Sequence, residues 1–169
     1  MILGAFPSSA WSDSPAGVSI ACDESAPVLL TAADLAKLPE VTVSISFGTD
    51  HGQLHGTFSG PLLSTVLNQA KAVDPRNPRL VLREFVLVTG ADRYSAVLAL
   101  GEIAPEFEDK DVILATQMNG RELAPGHFRI VVPGDKRGGR SVRDVVRIVV
   151  SLAGPKQSRP MTAGVQHGP

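Results

Sequence analysis

Five runs of aliphatic and β-branched residues set the strongest limit on the fold of this chain: VTVSISF (41–47), EFVLVTG (84–90), DVILAT (111–116), HFRIVV (127–132) and VRDVVRIVV (142–150). Alternating runs of this length between Pro/Gly connectors read as strands. GVSIAC (17–22) alternates in the same way, and TDHGQLHG reads as a turn leading into a short strand at 54–58. EFVLVTG and RYSAVLAL flank Ala91-Asp92, which predicts a hairpin. DVILAT and HFRIVV read as a second pair, with an Asn-Gly turn in the intervening MNGREL.

The helical signals are brief. Thr31 caps AADLAKL, which Pro39 stops. Pro61 takes the first helical position ahead of LLSTVLNQA, where Leu62, Leu63, Val66, Leu67 and Ala70 recur at helical spacing. AVDPRNPR is a connector, and 102–108 is a short acidic helix or loop. Strands outnumber helices, so the expected class is α+β with a mostly antiparallel or mixed sheet and short helices.

A length of 169 residues supports one domain with a real core. Its expected limits are 17–152, between a disordered leader or signal remnant (1–16) and a flexible Pro/Gly-rich tail (153–169). SSA and SPA in the leader resemble signal-peptidase sites, which points to a periplasmic or exported protein, the alternative being a cytoplasmic one. No apolar run approaches the roughly 20 residues of a membrane-spanning helix. Net charge is −1, so no global field recruits nucleic acid, and Trp11 and Tyr94 are too few for a base-stacking surface. Charge is nevertheless segregated. Residues 133–150 carry five Lys/Arg against two Asp, and 99–111 carry five Asp/Glu against one Lys.

The basic segment opens with PGDKRGGR (133–140). Consecutive glycines can expose backbone N–H groups to an anion, Arg offers a planar fork to phosphate oxygens, and Lys adds a mobile charge. Lys136, Arg137, Gly138, Gly139 and Arg140 are therefore candidates for holding a phosphorylated small molecule, with Arg129 and Arg93 as further ones. The spacing GxxxxGK[ST] of a nucleotide-hydrolase loop is missing. The plainer alternative is a solvated turn with salt links to the acidic 102–111 segment. His51 and His55, beside Asp50, are turn histidines, pocket-lining donors or a metal pair. No serine has a GxSxG context, and Asp92-Arg93 reads most simply as turn chemistry.

In order, LTAADLAKLP, HGTFSGPLLSTVL, VTGADRYSAVLALGEI, VILATQMNGREL and FRIVVPGDKRGGRSVRDVVRIVV resemble the molybdopterin-binding domain of the sulfite oxidase family over roughly residues 17–150. The resemblance implies that family's fold and a pterin bearing a dithiolene and a phosphate, held by Arg, Lys, His and backbone N–H groups. It places Arg93 near the cofactor face, makes His55 a cofactor-binding candidate, and calls for a cysteine thiolate on the molybdenum. That cysteine should follow VTVSISF, where the chain reads FGTDHGQLHG; its one cysteine, Cys22, lies in the first strand. Three readings follow. The domain binds a molybdopterin-like or other phosphorylated ligand and works through a redox partner protein. Alternatively it is a molybdenum-cofactor oxidoreductase without protein thiolate, or a cofactor-free interaction module.

Overall fold

The computed structural model describes residues 17–22, 25–49, 52–74 and 76–154. The expected leader, all of the tail beyond residue 154, Asp50 and His51 lie outside the described residues. A five-stranded mixed sheet runs in the order β2-β1-β11-β5-β6. In it β1 (Gly17–Cys22) lies parallel to β11 (Val145–Leu152), with Ile20 opposite Ile148. Strands β2 (Val28–Thr31), β5 (Glu84–Gly90) and β6 (Ser95–Ala99) all pair antiparallel to their neighbours. The hairpin expected across Ala91-Asp92 is the β5–β6 pair.

A second sheet is built on the long hairpin β3 (Glu40–Thr49) and β4 (Gly52–Pro61). It is extended by the two-residue strands β8 (Gln117–Met118) and β9 (Arg121–Glu122), which flank the Asn119-Gly120 turn. Between the two sheets runs a ribbon of β7 (Ile113–Ala115) and β10 (Arg129–Val131). Leu114 and Ile130 of this ribbon join the main core under the five-stranded sheet, with Val86, Val88 and Ile148. Ile113, Ala115 and Val131 join the second core, with Val43, Ile45, Phe47 and Phe58. A ribbon buried on both faces explains why DVILAT and FRIVV are near-continuous apolar runs, whereas VTVSISF alternates against solvent. Burying a side chain such as Ile130 or Phe58, both fully inaccessible, contributes roughly 1.5–3 kcal/mol.

The helices are single turns or little more. At α1 (Ala32–Leu35) the Thr31 hydroxyl accepts from the Asp34 amide and the Asp34 carboxylate accepts from Thr31, a reciprocal cap. Pro61 does not start a helix. The β3–β4 register runs on to Glu40 opposite Pro61, and α2 (Leu63–Gln69) begins two residues later, where the Leu63 amide bonds the Val112 carbonyl. The connector AVDPRNPR also gains a turn, α3 (Pro78–Val81), because Asn77 caps it and Pro78 occupies its first position. The last, α4 (Leu100–Ile103), carries Glu102.

Candidate functional site

The loop from β10 to β11 contains PGDKRGGR, and neighbouring elements hold it along its length. The Gly48 amide at the end of β3 donates to the Lys136 carbonyl at 3.1 Å, and Gly48 bridges Arg137. Gly138–Arg140 then forms a single 3₁₀ turn over the Phe47 ring. A Cβ on Gly138 would stand 2.5 Å from that ring, so the close approach requires glycine. Neither Gly138 nor Gly139 adopts a positive φ. Their use here is close packing and an accessible backbone, not the left-handed conformation that the sequence allows. The Tyr94 hydroxyl donates to the Gly139 carbonyl at 2.7 Å, which ties the loop to the β5–β6 turn.

Loop, turn and β3–β4 hairpin enclose a cleft of about 620 Å³. Three arginines line it: Arg129, Arg137 and Arg143. Phe47, Leu54 and Tyr94 form apolar walls, and the rest of the lining includes Thr49, Asp92, Gly138, Gly139 and Ser141. Arg129 is fixed in place. Its Nε donates to the Ser141 hydroxyl at 2.9 Å, that hydroxyl donates to the Ile130 carbonyl at 3.0 Å, and the guanidinium lies 5.3 Å from the Phe58 centroid. Burial, and then the charge of Arg143, hold the Arg129 pKa below its usual value, while Asp144 opposes them. A guanidinium stays protonated through such a shift, so the cleft carries concentrated positive charge. Among the described residues, neither the Arg137 nor the Arg143 side chain pairs with a carboxylate.

Of the eight candidates, the structure gathers Arg129, Arg137, Gly138 and Gly139 at the cleft and leaves out the other four. His55 lies outside the cleft lining. It pairs with Ser46 on the exposed face of the hairpin, while Phe47 and Leu54, one residue away on each strand, point to the cleft side. Arg93 sits exposed at positive φ (68°) in the β5–β6 turn, where the Asp92 carboxylate accepts from the Tyr94 amide at 2.9 Å. Lys136 is exposed and contributes its carbonyl to Gly48. Arg140 is turned to carboxylates. Its Nη2 and Nε bind Asp135 at 2.6 and 3.0 Å, and its Nη1 binds Glu102 at 2.8 Å. Asp135 above all, and then Glu102, raise its pKa further against the opposing effect of burial. The sequence reading missed Arg143, Ser141 and Tyr94. A basic residue at the start of the predicted strand 142–150, in RSVRD, was the available signal for Arg143.

A family model described as "Oxidoreductase molybdopterin binding domain" matches residues 16–158. The chain belongs to that family. This molybdopterin-binding oxidoreductase domain is 29% identical to the NADPH nitrate reductase of Emericella nidulans, over 76% of this chain and 15% of the reductase. The sulfane dehydrogenase SoxCD from Paracoccus pantotrophus shares the fold, with a TM-score of 0.63 at 21% identity over 80% of this chain and 38% of its own. The chain therefore spans a small part of one relative and under half of the other. The resemblance to sulfite-oxidase-like domains is thus a family membership, and molybdopterin is the family's cofactor.

The two halves of such a cofactor fit this cleft unequally. A phosphate finds three guanidiniums, one of them rigidly held, and a flat ring finds Phe47, Leu54 and Tyr94. A metal finds no thiolate. Cys22 lies on β1, half-buried against the main core, and the cleft lining has no cysteine. Among the described residues the lining also has no histidine.

Proposed function

We propose that the domain binds a phosphorylated pterin of the molybdopterin type in the arginine-lined cleft and places no protein thiolate on its metal. The supporting observation is the convergence of Arg129, Arg137 and Arg143 on one cleft that contains no cysteine. Arg137 and Arg143 neutralise the phosphate. Arg129, held by Ser141 and the Phe58 face, offers its remaining N–H groups with little loss of side-chain freedom. Phe47, Leu54 and Tyr94 exclude water from the ring. When bound, the molybdenum-bearing dithiolene of such a cofactor supplies the redox chemistry, and a redox partner protein carries electrons to or from it. An exported, periplasmic setting belongs to the same proposal and rests on SSA and SPA near the N-terminus.

A second reading, a molybdenum-cofactor oxidoreductase in its own right, is favoured by the two relatives, which are named for reductase and dehydrogenase activities. Metal and pterin analysis of protein purified from its native host separates cofactor binding from a cofactor-free module, and turnover of an artificial electron acceptor by the same protein without a partner would favour the second reading. The binding reading expects stoichiometric pterin phosphate whose content is unchanged in a Cys22→Ser variant. Stoichiometric molybdenum lost on that substitution would overturn it. Protein with neither pterin nor metal would make the fold a cofactor-free interaction module.

A further inference from the structure

Arg140 lies within the basic loop, yet its guanidinium is committed elsewhere. Its fork closes on Asp135, five residues earlier, through two bonds, and its third bond reaches Glu102 on α4. Lys110 stands 3.9 Å from the same Glu102 carboxylate and 3.2 Å from Glu108, so the group is anchored to the acidic segment. Asp135 and Arg140 bracket the stretch that carries Arg137, Gly138 and Gly139 into the cleft. From the cleft side the same stretch is fixed by Phe47 under Gly138 and by the Tyr94 hydroxyl on the Gly139 carbonyl.

We infer that Arg140 is a positioning residue and not an anion contact, and that the carboxylates of Asp135 and Glu102 promote anion binding by clamping the loop through it. The inference rests on the anion reading of the cleft. Counting charge alone gives the opposite sign, because the carboxylates of Asp135, Glu102 and Glu108 against the cations of Arg140 and Lys110 leave a net negative group beside the site, which repels an anion. The clamp acts through order. A loop already held in its binding shape loses less conformational freedom when the ligand arrives. Lysine cannot replace the clamp, since a single ammonium does not reproduce a planar bidentate fork.

The two accounts make opposed predictions for Asp135→Asn. Hydroxymethylpterin phosphate is titrated calorimetrically into wild type, Asp135→Asn, Glu102→Gln and Arg140→Lys, and amide hydrogen exchange of residues 137–141 is followed in each. The clamp expects Asp135→Asn and Arg140→Lys to bind several-fold more weakly, about threefold to tenfold, with faster exchange at Gly138 and Gly139 and an unchanged overall fold. Glu102→Gln should show a smaller loss in the same direction. Binding by Asp135→Asn that equals or exceeds wild type, with unchanged exchange, overturns the inference and makes Arg140 a direct contact. If wild type binds no pterin phosphate, the anion reading falls and the binding half of this inference with it. The exchange data still report whether the clamp orders the loop, which keeps the two failures distinct.

Discussion

Arg137 and Arg140 stand three positions apart in one loop and have opposite surroundings. Arg140 spends its donors on Asp135 and Glu102, while Arg137 faces the cleft without a carboxylate among the described residues. The same residue type therefore meets two different settings. An arginine whose fork is filled by carboxylates is committed to the fold, and one whose fork is open keeps its donors for a ligand, as the proposed function requires. Composition counts both as basic and cannot tell them apart. The difference lies in partners that the fold brings in, one of them 38 residues away in sequence.

The largest expected effect breaks the open side. Arg137→Ala with Arg143→Ala should weaken hydroxymethylpterin phosphate binding by about tenfold or more, since charged hydrogen bonds contribute on the order of 1.5–3 kcal/mol before solvent screening reduces them. The melting temperature should stay within a degree or two of wild type, because neither side chain has a carboxylate partner to lose among the described residues. His55→Ala is the matched control and should bind as wild type, since that side chain is on the far face of the hairpin. A calorimetric titration at low and moderate salt reads all three proteins, and the difference should narrow as salt rises.

The smallest expected effect is remote from the cleft and shows what a paired charge does where no ligand is involved. The Thr31 hydroxyl, followed by Lys37, holds the Asp34 carboxyl at about 2, below its ordinary 3.8. A carboxyl depressed on folding stabilises the protein above its unfolded value and loses that contribution as pH falls through the folded one. Stability should thus fall slightly between about pH 4 and 2 for wild type and less so for Asp34→Asn. Acid titration followed by circular dichroism checks this, and ligand binding near neutral pH should be identical in the two proteins.

The sequence made the α+β class legible because strand runs are strong local signals, and the five main runs all become strands. Thr31 was legible as a cap because its partner Asp34 is only three residues away. Pro61 was misread, because whether a proline ends a strand or starts a helix depends on how far the β3–β4 ladder runs. The face that His55 takes was hidden for a related reason. One step of hairpin register decides which face a side chain takes, and the turn that sets it leaves no period of its own in the sequence. Arg140 shows a third kind of limit. Charge segregation between 99–111 and 133–150 foretold salt links, but which arginine would make them depended on where α4 packs.

A loop with a binding side and a structural side is tested most directly by a chemical-shift titration of backbone amides and arginine Nε groups of wild type with hydroxymethylpterin phosphate. The Arg137, Gly138, Gly139 and Arg143 amides should shift saturably, Arg129 Nε should shift with them, and Arg140 Nε and the His55 amide should stay in place. Saturable shifts centred on Arg140, Asp135 and Glu102, with the cleft amides unmoved, would contradict this division of the loop.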